Sequence, residues 1–133
     1  MVNEYGFTRT NYFQINDLDE FAFLMRSVVA NELEVLLRDY HVCFRCSGEI
    51  QGIDGEFFSD GNINLEDFLE SLQHLLPDGE ALILVYTGSI SSKDMEAYYY
   101  VVTNTQIVYK EIFASTVDTA KSMTNNAAYS FCY

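Results

Sequence analysis

Basic residues are scarce in this sequence, and over one long stretch they are missing. Seven Lys and Arg stand against twenty Asp and Glu, for a formal net charge of −13. Between Arg45 and Lys93 there is no base at all. A surface this acidic repels nucleic acid and anionic membranes, because both are polyanions. Tryptophan is absent, proline occurs once (Pro77), and cysteine three times. Three cysteines without framework spacing do not make a disulfide scaffold and fit a reducing, cytoplasmic compartment. The longest apolar run lies near ALILVY (81–86), far short of a bilayer span. The N-terminal MVNEYGFTRTNY lacks the charged-then-apolar pattern of a signal peptide.

Apolar and aromatic residues are plentiful. Hydrophobic residues make up 49% of the 133, with ten Tyr and ten Phe. That suffices for one packed core, so a single domain over 1–133 is expected, and disorder is not.

The pattern along the chain predicts an α+β fold. YGFTRTNYFQI (5–15) reads as a strand. Asn16 and Asp17 open a helix, with Asp19 and Glu20 facing the positive end of its dipole. Leu18, Phe21, Leu24, Met25 and Val28 form its apolar stripe. The stripe either runs on through Leu33, Leu36, Leu37 and Tyr40 or breaks at Asn31 into a strand; the break is preferred. YHVCFRC (40–46) alternates as a strand, with Tyr40, Val42, Phe44 and Cys46 on one face. A second helix spans 65–76, capped by Asn64 and stopped by Pro77-Asp78-Gly79. ALILVYTG, MEAYYYVVTN and TQIVYKEIF are three successive strands, the last two joined near Asn104. Ser115 and Asp118 form a capping box for a short helix over 116–125. The expected architecture is a mostly antiparallel sheet with two main helices packed on one face. INDLDEF (15–21) and INLEDF (63–68) echo each other at the two helix starts.

Two motifs suggest metals, and both fail. DGNINLEDFLE (60–70) has the rear half of a calcium loop: Asp60, Gly61, Ile63 and Asp67 fall at loop positions five, six, eight and twelve. Position three is then Phe58, which cannot coordinate a hard cation needing about six to eight oxygens. His41, Cys43 and Cys46 resemble half of a zinc knuckle, but tetrahedral zinc needs four ligands, and Cys43 and Cys46 point to opposite faces of a strand. No cofactor is expected. No serine-nucleophile motif, phosphate loop or metalloprotease helix occurs, and Glu66 with Glu70 lacks a nucleophile and an orienting group, so the chain does not read as an enzyme.

The acids remain. Nine lie between Arg45 and Lys93: Glu49, Asp54, Glu56, Asp60, Glu66, Asp67, Glu70, Asp78 and Glu80. Asp17, Asp19, Glu20, Glu66, Asp67 and Glu70 belong to helix first turns and serve the dipole. Nothing local in the sequence requires Glu49, Asp54, Glu56, Asp60, Asp78 or Glu80. In charge and composition over 49–80, the chain resembles the acidic phage and plasmid DNA mimics, the anti-restriction and anti-CRISPR inhibitors. That resemblance implies a protein that binds and inhibits a basic, nucleic-acid-binding partner, with carboxylates standing in for phosphates. The partner-binding set it implies is Glu49, Asp54, Glu56, Asp60, Glu66, Glu70, Asp78 and Glu80. It involves no direct nucleic acid and no membrane, and leaves homo-oligomerisation open. The alternative is an immunity or adaptor module whose working surface is aromatic: the Tyr98–Tyr100 strand or the C-terminal Tyr129 to Tyr133.

Overall fold

The computed structural model describes residues 5–54, 64–89, 91 and 94–130, with Tyr5 as backbone only. Its elements in chain order are β1 (Tyr5–Thr10), α1 (Leu18–Arg26), β2 (Val28–Arg38), β3 (His41–Ile53), α2 (Leu65–Gln73), β4 (Leu82–Ser89), β5 (Met95–Val102), β6 (Ile107–Glu111) and α3 (Ile112–Thr124). The strands form one six-stranded sheet in the order β2-β3-β1-β4-β5-β6. Every neighbouring pair is antiparallel. The α+β class and antiparallel sheet are as the pattern predicts.

The order has a simple logic. β1 and β2 are mutually parallel with β3 between them, and β3 and β4 are mutually parallel with β1 between them. The first four strands and two helices are thus two interlocked split β-α-β units. β5, β6 and α3 extend the sheet beyond β4. The two similar segments fall at matching places, the helix start of each unit. Asp17 caps α1 by accepting from the Glu20 N–H, and Asn64 caps α2 by accepting from the Asp67 N–H.

Register assigns each strand residue to a face. On one face lie Val42, Phe44 and Cys46 of β3, Leu82, Leu84 and Tyr86 of β4, and Tyr98, Tyr100 and Val102 of β5. The core cluster joins most of these to Phe21, Leu24 and Met25 of α1 and Phe68, Leu69 and Leu72 of α2. Phe13, Phe21, Phe44 and Phe68 meet edge-on within it, at centroid distances of 5.6–6.2 Å. Phe13 reaches this core because Asn11 lets the chain leave the ladder. Its side chain accepts from the Ile83 N–H at 2.8 Å and donates to the Ala81 carbonyl at 3.0 Å, standing in for backbone.

Several boundaries differ from the sequence expectation. The first helix ends at Ser27, not Asn31, and the preferred strand begins earlier. The Ser27 N–H and hydroxyl both return to the Leu24 carbonyl, and Val28 and Val29 pair with Ile53 and Gly52. Val28 is therefore a strand residue and not part of the helical stripe, and Leu18 is half exposed. Tyr40 belongs to the β2–β3 turn, not the strand. Asp39 and Tyr40 both have positive φ (50° and 65°), the geometry of a two-residue type I′ hairpin. α2 stops at Gln73, although Leu75 and Leu76 stay buried beyond it. α3 begins at Ile112, directly after β6, so Ser115 lies inside it. Its cap is Glu111, whose carboxylate accepts from the Phe113 and Ala114 N–H groups.

Candidate functional site

β4, β5 and β6 pair so that Tyr86, Tyr98, Tyr100 and Tyr109 share the face that also carries the core. Beside the core cluster, against which Tyr100 packs, these rings pack on one another. Tyr86 and Tyr98 lie 5.1 Å apart, Tyr98 and Tyr100 5.9 Å, Tyr98 and Tyr109 5.7 Å, and Tyr100 and Tyr109 5.0 Å. Burial falls off along the series. Tyr86 is fully buried, Tyr98 and Tyr100 are partly buried, and Tyr109 is half exposed. Tyr86 lies flat along the sheet over Gly6 and Gly88, which face each other across β1 and β4.

Two carboxylates from different elements close on this ladder. Glu49, in the second half of β3, accepts the Tyr98 hydroxyl at 2.5 Å. Burial and then the Glu49 contact push the Tyr98 phenol well above the ordinary tyrosine range. The Tyr100 phenol is raised too, first by burial, then by the charge of Glu66 on α2, with a smaller contribution from Glu49. Glu49 and Glu66 therefore bear on the same ring. Aromatic faces carry negative potential and adjacent carboxylates add to it, so the surface attracts cations. The described Arg or Lys that does stack on a ring is Arg38, 5.8 Å from the Tyr12 centroid and away from the ladder.

The remaining expected acids do not all join this surface. Glu70 is exposed on α2, one turn beyond Glu66. Glu80 holds the chain before β4: its carboxylate accepts from the Gln14 N–H at 2.7 Å and from the Ala81 N–H at 3.1 Å. Asp78 accepts from the Asn104 side chain in the β5–β6 turn. Asp54 is half buried, its N–H donated to the Ser27 carbonyl. Glu49, Asp78 and Glu80 thus hold tertiary contacts across separations that no sequence window reveals. Glu56 and Asp60 lie outside the described residues, as do Phe58, the front of the calcium-like loop, and Phe131 to Tyr133.

Cys43 and Cys46 sit on opposite faces of β3, as alternation predicts. Cys46 belongs to the core cluster and Cys43 does not. Both are buried. Burial raises the Cys46 thiol above its ordinary range. Among the described residues no group of three or more His, Cys, Asp or Glu could hold a metal ion. No helix among them is long and apolar enough to cross a membrane.

Tyr98 and Tyr100 were legible as one face of a strand. Tyr86 and Tyr109 were not singled out. The signal for them was the tyrosine in each flanking strand, ALILVYTG and TQIVYKEIF, which align only once register is known. Comparison with protein-family models, with curated proteins and with solved structures finds no match.

Proposed function

We propose that this protein is a non-enzymatic binding module that engages a basic, nucleic-acid-binding protein and blocks its groove, with carboxylates in the place of phosphates. With both helices packed on one face of the sheet, the tyrosine ladder is left at the edge of that face. The observation that carries the reading is the Tyr98–Glu49 hydrogen bond, which sets a carboxylate of β3 against the tyrosine ladder; the charge of Glu66 on α2 also raises the Tyr100 phenol. Glu70 extends the same negative strip along α2, and no base lies between Arg45 and Lys93 to offset it. A lysine or arginine of a partner would find ring faces and counter-charges in one place.

A second reading takes the rings, not the carboxylates, as the anchor of an adaptor or immunity module. The half exposure of Tyr109, beside Tyr98 and Tyr100, favours it. The test is affinity capture from the native host, then titration of the purified partner at increasing salt, with and without competing duplex DNA. Competition with DNA and a steep loss of affinity with salt support the phosphate-mimic reading. Salt-insensitive binding lost in Tyr109→Ala supports the aromatic one. Binding unaffected by DNA, salt and Tyr109→Ala overturns both.

A further inference from the structure

The opposite face of the sheet carries a different chemistry. Arg9 of β1 stands directly across from Arg45 of β3, and Arg45 stands across from Glu34 of β2. Glu34 takes two hydrogen bonds from Arg45, at 2.9 and 3.3 Å, through a single carboxylate oxygen. That is the one salt bridge among the described residues, and it leaves Arg9 without an acidic partner there. Val85 is the neighbour of Arg9 on β4. Like charges directly opposite in a ladder are destabilising. In a chain with twenty acids and seven bases, two opposed arginines of which only Arg45 is paired with a carboxylate are an uneven distribution.

The pair opens onto a cavity of about 600 Å³, within the usual span of small-molecule sites, about 300–1,000 Å³. Its apolar lining includes Phe7, Leu36 and Cys43. Phe7 is 63% exposed, two residues from Arg9 on the same side of β1. Planar guanidinium groups suit oxyanions, which accept paired N–H donors. The exposed ring offers a body of modest size something to lie against. Glu32 and Glu34 also line the cavity. Together with the overall charge they disfavour any ligand carrying several negative charges.

We propose that this open face binds a small organic oxyanion, a carboxylate or a phosphate monoester with an apolar body, held by Arg9 and Arg45 with its body against Phe7. The site is independent of the tyrosine surface, since Arg9 and Tyr98 belong to opposite faces. A bound anion would offset the opposed arginines, so binding and stability make opposite demands on Arg9.

The experiment is an amide-resolved NMR titration with four probes at millimolar concentration: benzoate, phenyl phosphate, inorganic phosphate and ATP. The expected result is saturable shifts at Phe7, Arg9 and Arg45 with benzoate or phenyl phosphate, whichever oxyanion the arginines favour. The better of these binds about tenfold or more tightly than inorganic phosphate, and ATP binds no better than phenyl phosphate. Arg9→Gln should lose about tenfold or more in affinity. Its melting temperature should equal or exceed that of wild type, which separates lost binding from lost folding. Absence of saturable shifts at these residues with both benzoate and phenyl phosphate overturns the site. So does an Arg9→Gln protein that binds as wild type does. ATP binding tighter than phenyl phosphate overturns the restriction to singly anchored anions.

Discussion

The Tyr98 hydroxyl donates to the Glu49 carboxylate at 2.5 Å, fastening β5 to the second half of β3. Between those strands in the sheet lie β1 and β4, so the bond crosses the sheet and is not part of a local ladder. A hydrogen bond to a charged acceptor is worth more than a neutral one. Tyr98→Phe should therefore cost about 1–2 kcal/mol in urea unfolding near neutral pH. The sign of the pH effect follows from the raised Tyr98 phenol. Its folded pKa lies above the unfolded value of about 10, so the contribution is complete below that pH and is lost as pH rises toward the folded value. The stability gap between wild type and Tyr98→Phe should hold up to about pH 10 and narrow steadily over the window above it. A gap that stays constant across that window would show that the phenol is not held neutral by this contact.

The β2–β3 turn stores strain at an exposed residue. Tyr40 has φ of 65° and is 92% exposed, so it has a left-handed backbone and almost no burial to compensate. Asp-Gly is the favoured pair for this turn type. Tyr40→Gly should raise stability by about 0.5–1 kcal/mol, the left-handed penalty less the added freedom of the unfolded chain. Urea midpoints at equal m-value give the comparison. A fall in stability would mean that Tyr40 makes a contact in solution that its exposure does not suggest.

Gly6 and Gly88 exist where they do because of Tyr86. A Cβ on Gly6 would sit 2.6 Å from the hydroxyl oxygen of the fully buried Tyr86. Gly6→Ala should destabilise by about 1–3 kcal/mol through overpacking. Combining it with Tyr86→Phe, which removes the clashing oxygen, should cost less than the two single changes added together. Simple additivity in thermal unfolding would show that Gly6 is required for its backbone and not for the ring above it.

α3 depends on its first turn. None of its residues is buried, and Glu111 satisfies two of its open N–H groups. An isolated helix of this length is marginal in water. Glu111→Ala should speed amide exchange across 112–124 while leaving the melting temperature of the core nearly unchanged, because the cluster of α1, α2 and the central strands contains no α3 residue. Unchanged exchange in α3 would show that its contacts with β5 and β6 are sufficient without the cap.

What the sequence revealed follows from the reach of each signal. The caps at Asp17 and Asn64 act within four residues and were legible. So was the alternation of Val42, Phe44 and Cys46, because one side of β3 is core and the other is not. β2 was ambiguous because VVANELEVLLR has apolar residues on both faces. It is an edge strand, with Val35 and Leu37 about half exposed or more, so burial imposes no clean period. The α3 start was misplaced because Ser115 and Asp118 satisfy the capping pattern, yet Glu111 reaches the N–H groups first as the chain leaves β6. The acids were legible as charge but not as contacts. Glu80 meets Gln14, Asp78 meets Asn104 and Glu49 meets Tyr98 across separations that only the sheet order creates.

Those contacts decide where a charge-reversal test belongs. Changing Glu49, Asp78 or Glu80 would break tertiary hydrogen bonds, so weak binding and weak folding would be confounded. Glu66 and Glu70 are exposed on α2 and hold no tertiary hydrogen bond among the described residues, while the charge of Glu66 bears on Tyr100. Glu66→Lys with Glu70→Lys should weaken binding of the basic partner by about 1–3 kcal/mol, roughly ten- to a hundredfold, and flatten its salt dependence. The folding cost should stay near the helix-dipole scale, about 1 kcal/mol, since Glu66 stands in the first turn. Asp17→Asn with Asp19→Asn and Glu20→Gln is the control. It removes three acids at the start of α1, costs stability through the cap and dipole, and should leave partner affinity within about twofold. If the α1 triple weakens binding as much as the α2 pair, net charge alone governs the encounter and the tyrosine surface is not the contact. If neither does, the carboxylates are not the phosphate substitutes, and Tyr109→Ala becomes the decisive variant.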